Sequence, residues 1–221
     1  MKFAFALIAL PLLAGNPSTA AEHVLGKDGT PGYKDTELVP GTQWHKHDPD
    51  RPQPPSVTPG KAGAPPSDAI VLFDGRDQSQ FETNEWKTEG GALVAGKGNI
   101  TTRQPFGDMQ LHLEWAGPVE AMDRWGNQGN SGVLLMGLYE IQIFDSHSTK
   151  IYADGQAAAV YGETPPLVNA TLPRGEWQTY DIIFKAPAYE GEKVVSPPRV
   201  TVLHNGVVVQ HDTEIKGRIA H

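Results

Sequence analysis

No stretch of this 221-residue chain keeps apolar residues at a helical 3.6-residue period over three turns. From residue 69 onward it carries instead short apolar or alternating runs, with Gly or Pro in most of the gaps. These read as strands over Ala69–Phe73, Ala92–Ala95, Met109–Trp115, Gly132–Met136, Tyr139–Phe144, Trp177–Lys185, Val200–Leu203 and Val207–Gln210. Asn205-Gly206 separates the last two, and Asn-Gly suits the type I′ turn of a two-residue hairpin. Many antiparallel strands without helices restrict the fold to an all-β sandwich, jelly roll or barrel.

Two N-terminal segments stand outside that pattern. Met1-Lys2 precedes an apolar run from Phe3 to Ala14 and the small-x-small triplet Ser18-Thr19-Ala20, so residues 1–21 read as a secretory signal peptide. The run is too short to span a bilayer, which takes about 20 apolar residues. No cysteine stands at the cleavage point for lipid attachment. The expected location is the periplasm or the outside, with no disulfides and no membrane association after cleavage. Residues 22–67 then form an arm with eight prolines between Pro40 and Pro66. Proline removes a backbone donor and holds its predecessor extended, so an irregular, extended segment is expected there. Trp44, His45 and His47 are its candidate anchors. Histidines at i, i+2 on an extended segment point the same way, which could clamp a metal, although packing or solvation is the commoner fate of such a pair.

Charge and composition remove whole classes of function. Eighteen Lys+Arg against 26 Asp+Glu give a net charge of −8 with no basic run, which repels phosphate backbones and argues against nucleic-acid binding. With no cysteine there is no thiolate nucleophile or zinc-thiolate site. The Gly/Asn-rich segment Trp125–Gly132 lacks the strand-to-helix setting of a phosphate loop, so no nucleotide cofactor is expected. Gly-x-Ser-x-Gly is absent, and Ser131 lies in a β context rather than at a nucleophile elbow.

Alternation sorts the strand residues by face. Between Tyr139 and Asp145 a period of two sends Tyr139, Ile141 and Ile143 to a core. Glu140 and Gln142 then share the opposite face and open on a cleft, with Asp145 at the strand's end. On Met109–Trp115 the same rule pairs His112 with Glu114. Two carboxylates, an amide and a histidine on neighbouring strands would supply acid, base and orienting groups. A solvated outer face satisfies the same alternation equally well. Trp115, Trp125, Tyr152 and Tyr161 are the candidate exposed aromatic platforms; packing is the commoner reading for Trp115, and Trp125, in a Gly-rich loop, is better placed.

Four motifs occur in order: Gly129-Asn130-Ser131-Gly132-Val133, Tyr139 to Ser146 (YEIQIFDS), Tyr152-Ala153-Asp154-Gly155-Gln156 and Gly175 to Asp181 (GEWQTYD). With Val71-Leu72-Phe73-Asp74-Gly75 ahead of them, and an arm reading Trp44-His45-x-His47-Asp48-Pro49-x-Arg51-Pro52, the chain resembles the 3-keto-disaccharide hydrolase family over residues 30 to 221. The same family is described as a 3-keto-glycoside 1,2-lyase/2-hydroxy-glucal hydratase domain. The resemblance implies a concanavalin-A-like jelly-roll sandwich over residues 68–221 that binds a sugar on its concave face. A ketone at C3 acidifies the C2 proton; a base removes it, the enolate expels the C1 substituent, and water adds back. The implied catalytic set is Glu140, Gln142, Asp145, Glu114 and His112, and the implied sugar contacts are Asn130, Arg124, Trp125, Tyr152 and Asp154. An electrophile, or a hard divalent cation held by carboxylate, amide oxygen and His, would stabilise the enolate. Family members continue past a strand like Val207–Gln210 into a polar segment and one more strand, so the chain reads as C-terminally truncated. A non-catalytic carbohydrate-binding jelly-roll module is the alternative function, since fold alone does not separate the two.

Overall fold

A computed structural model of the chain describes residues 21–61, 64–120 and 128–217. The expected signal peptide therefore lies almost wholly outside the described residues. Two compact units divide at Val71 and Leu72.

In the N-terminal unit, β1 (His23–Leu25) pairs antiparallel with β2 (Pro31–Tyr33). The Asp28 carboxylate accepts the Thr30 N–H at 2.9 Å, and Gly29 takes a φ of 85° to close the turn. Behind the hairpin Asp50 accepts the Lys27 N–H at 2.8 Å and pairs with the Lys34 ammonium. A second loop is closed by the Leu38–His45 bridge. The first half of the expected arm is thus a small built structure, fixed by carboxylates that take up backbone donors. Its second half matches the proline argument: among the described residues no helix or strand lies between Pro49 and Pro66. The His45 and His47 rings go to separate partners. His45 Nδ1 meets the Thr36 carbonyl, whereas His47 adopts a φ of 62° and sets its ring edge-on to Tyr33 at 6.4 Å.

The second unit is an all-β sandwich of the jelly-roll class. Its larger sheet runs in the order β12-β11-β8-β5, built from β5 (Met109–Trp115), β8 (Gln178–Lys185), β11 (Arg199–His204) and β12 (Val207–Glu214). The hairpin of β6 (Ser131–Leu135) and β7 (Tyr139–Ile143) packs across it. Short ribbons complete the unit: β3 (Lys87–Glu89) with β4 (Ala92–Val94), and β9 (Ala188–Glu190) with β10 (Lys193–Ser196). Strand alternation builds the core. Trp115 on β5, Tyr180, Ile182 and Phe184 on β8, and Val200 and Val202 on β11 meet Leu135, Tyr139 and Ile141 from the hairpin. The Tyr180 hydroxyl crosses the interlayer space to donate to the Gln142 carbonyl at 2.7 Å, and the Tyr139 and Phe184 rings lie 6.0 Å apart.

Asn205 and Gly206 have φ of 52° and 77°, the pair of positive values a type I′ turn requires. Other expectations shift. Ala69–Phe73 forms no strand, and Ile70 and Val71 are exposed at the junction of the units. β12 runs on to Glu214 through a bulge that breaks alternation, so that consecutive Val209 and Gln210 are both buried. Strands β3, β9 and β10 escape a hydrophobicity reading because few of their residues are covered.

Ile141 has no exposed surface and sits at the centre of the interlayer contact. Ile141→Ala is expected to cost about 2–5 kcal/mol of unfolding free energy, the usual loss for a large-to-small core change. Urea denaturation followed by far-UV circular dichroism measures it.

Candidate functional site

The outward face of β7 is where polar side chains gather. Tyr139 and Ile141 point into the core, so the period of two sends Glu140 and Gln142 the other way. Both flanks of β7 are paired. On one side Gly132 lies opposite Gln142 and Leu134 opposite Glu140. On the other, the segment from Ala158 to Tyr161 runs antiparallel: the Tyr161 N–H donates to the Glu140 carbonyl at 3.0 Å and the Gln142 N–H to the Ala159 carbonyl at 3.0 Å. With Ile141 bridged to Val160, Glu140 and Tyr161 are direct cross-strand neighbours whose side chains share a face.

Glycine makes room for the carboxylate. A Cβ built on Gly132 would stand 2.2 Å from Glu140 Oε1, so the Glu140 side chain lies back over the bare backbone of β6. Beside it the Tyr161 and Tyr152 hydroxyls are 3.0 Å apart. Tyr152 stacks down on Gly155, where a Cβ would come within 2.1 Å of its ring, and the 3-10 turn Ala153–Gly155 carries Asp154. The hydrogen bond between Tyr161 and Tyr152, then burial, then the electrostatic influence of Tyr152 and of the Glu140 and Asp154 carboxylates push the Tyr161 phenol up to about 12. Tyr161 therefore stays protonated through the neutral range and lies within the electrostatic reach of both carboxylates.

Gln142 is only 1% exposed and does not open on a cleft as the alternation suggested. Buried in this way, the amide works as a support. Nε2 donates to Asn130 Oδ1 at 3.3 Å and so fixes the Asn130 side chain. Glu140, Tyr152 and Asp154 thus lie around Tyr161, and Asn130 is held by Gln142.

Three expected members are placed elsewhere. His112 and Glu114 project from the outer face of β5, because Met109, Leu111, Leu113 and Trp115 take the inward positions. Glu140 points outward from the opposite layer, so the thickness of the sandwich separates it from both. His112 Nδ1 instead pairs across the strand with Asp181 Oδ1 at 2.7 Å. Asp145 is 7% exposed and structurally committed. Its carboxylate forms an ion pair with Arg174 at 2.5 Å and accepts the Ser148 N–H at 3.1 Å. Trp115 is a core residue, stacked on His204 at 5.9 Å. Arg124 and Trp125 lie outside the described residues.

Among the described residues no three His, Asp or Glu side chains converge as a metal-binding group. Two participants were not assigned from sequence. For Tyr161 the alanine run before it gives no strand signal, and along the segment that pairs with β7 Ala158 takes a φ of 66°. Arg174 sits in a Pro-Arg-Gly turn, and nothing in its spacing points to Asp145.

Residues 68–221 match the family described as the 3-keto-alpha-glucoside-1,2-lyase-like domain. A crystal structure of a candidate glycosyl hydrolase from Parabacteroides distasonis is 39% identical, superposes with a TM-score of 0.74, and aligns over 82% of this chain and 84% of that one. A second candidate glycosyl hydrolase from the same organism is 20% identical over 62% of this chain and 68% of that one, with a TM-score of 0.47. No match was found among curated proteins.

Proposed function

Since the chain belongs to the 3-keto-alpha-glucoside-1,2-lyase-like domain family, we propose that it is a carbohydrate-active enzyme that cleaves the glycosidic bond of 3-keto-glycosides. The observation that carries the reading is one carboxylate, Glu140, fixed on a rigid strand beside two hydrogen-bonded phenols. The reaction needs a base for a proton made acidic by a neighbouring ketone, and donors for the oxygens on which charge develops. Glu140 takes the C2 proton of the sugar ring. Asn130, held by Gln142, meets the sugar's oxygens. The enolate expels the C1 substituent, and water adds to the resulting enone to complete net hydrolysis. No step is assigned to the His112–Asp181 pair or to Asp145, which point away or are bound in an ion pair.

The test is incubation with a 3-keto-disaccharide, with and without chelator, following release of reducing sugar. Turnover supports the reading; saturable sugar binding without turnover would leave the carbohydrate-binding module in its place. The Gly132 contact gives a second test. Gly132→Ala should force the flexible Glu140 side chain off its seat while leaving the β6–β7 backbone intact. The expected result is a fall in kcat of about 10-fold or more, as small misplacements of catalytic groups produce, with the melting temperature nearly unchanged. A variant as active as the parent would show that the Glu140 position is not critical.

A further inference from the structure

We propose that Tyr161, backed by Tyr152, is the acid that protonates the departing C1 oxygen, an inference that rests on the 3-keto-glycoside reading above. The geometry supplies both halves of a proton exchange on one surface. Glu140 and Tyr161 are direct partners on adjacent strands, joined by the Tyr161 N–H to the Glu140 carbonyl at 3.0 Å. Side chains so paired rise from the sheet about 5 Å apart at their Cβ atoms. That separation fits two groups acting on neighbouring carbons of one sugar ring. Tyr152 stands behind as a second hydroxyl at 3.0 Å and is itself about half exposed, so the pair connects with the surface.

The charges are arranged so that the two events assist one another. While Glu140 is ionised, its charge and that of Asp154 hold the Tyr161 proton in place. Once the carboxylate has taken the C2 proton it is neutral, and one of those charges is gone. Tyr161 then becomes a stronger acid at the step that needs one. As the enolate collapses, the C1–O bond breaks, its electron pair passes to the leaving oxygen, and that oxygen takes the Tyr161 proton. The Tyr152 hydroxyl donates to the phenolate so formed. In the return half, water attacks C1 of the enone, the Tyr161 phenolate takes a proton from the water, and the Glu140 carboxylic acid returns its proton to C2. Both side chains end as they began, and one water has been consumed.

A leaving-group comparison separates this role from a structural one. Tyr161→Phe is assayed on a 3-keto-disaccharide, whose alcohol departs only if protonated, and on a p-nitrophenyl 3-keto-glucoside, whose phenolate departs unaided. The expected result is a loss of about 10²–10⁴-fold in kcat on the disaccharide, the usual contribution of a positioned acid. Release of p-nitrophenolate, which precedes the hydration half and draws on no proton from Tyr161, should stay within a few-fold of the parent. Exchange of the C2 proton in deuterated water, followed by NMR, should also persist in Tyr161→Phe, since Glu140 is untouched. Tyr152→Phe should show a smaller loss of the same leaving-group pattern. Equal losses on both substrates, a loss of exchange, or full activity on the disaccharide would overturn the assignment. If the parent protein turns over neither substrate, the 3-keto-glycoside reading itself falls, and this assignment with it.

Discussion

Glu140→Gln should lower kcat on a 3-keto-disaccharide by about 10²–10⁴-fold, the range lost with a general base, while leaving the melting temperature close to that of the parent. The substitution is nearly isosteric, so the amide fits the space above Gly132 that the carboxylate fills. Glu140 is half-buried on an outward face and contributes nothing to the interlayer core. What is lost is the ability to accept the C2 proton, and hydrogen–deuterium exchange at that carbon should vanish together with turnover. Ile141→Ala, one residue along the same strand, should do the reverse: less stable protein, with the kcat of each folded molecule retained. If both variants lost folding to the same extent, the two faces of β7 would be misassigned. If Glu140→Gln kept full activity, the base would have to be sought elsewhere on the polar face, with Asp154 the next carboxylate to test.

How far the sequence discloses this arrangement depends on how local the physics is. The Tyr139–Ile143 faces are legible because burial of Tyr139 and Ile141 is decided by a period of two within one strand. The Asn205-Gly206 turn is legible for a similar reason, since two residues fix their own φ. Which strands face one another is another matter. His112 and Glu114 obey the alternation rule as faithfully as Glu140 does, yet they emerge from the opposite layer, and no spacing within Met109–Trp115 encodes that. Long-range partners are equally silent. Asp145 looks like a strand-end carboxylate available for chemistry until Arg174, 29 positions later in the chain, closes on it. Tyr161 gains its place from a strand-like pairing built on three alanines and a valine, a composition that announces neither strand nor site. The family motifs mark several of these residues, but only the layer geometry assigns them to one face or the other.

The second large effect concerns stability in mild acid. His204 is 1% exposed, stacked on Trp115 at 5.9 Å and set edge-on to Tyr180 at 4.9 Å. Its Nε2 lies 3.2 Å from Gln178 Oε1, an oxygen that also receives the Leu172 N–H at 2.9 Å and the Asn205 amide at 2.7 Å. Burial disfavours the imidazolium and lowers the His204 pKa from 6.5 to about 4. Above pH 6.5 the ring is neutral in both folded and unfolded chains, and the full stability is present. As pH falls from 6.5 toward 4 the unfolded chain takes up a proton that the folded core refuses, so stability is lost across that window and levels off below it. The total for a shift of this size is roughly 3 kcal/mol. The carboxylates whose pKa values are lowered by hydrogen bonds, among them Asp50, Asp74 and Asp77, act in a separate range. Their stabilisation is present above 3.8, their usual value, and fades only as pH falls below it. Chemical denaturation at half-unit steps from pH 7.5 to 4 should therefore show a decline in the parent that is much reduced in His204→Phe. That variant keeps an aromatic ring against Trp115 and leaves Gln178 Oε1 with its donors from Leu172 and Asn205. Parallel pH profiles for the two proteins would mean that the His204 ring is charged, or solvated, inside the fold.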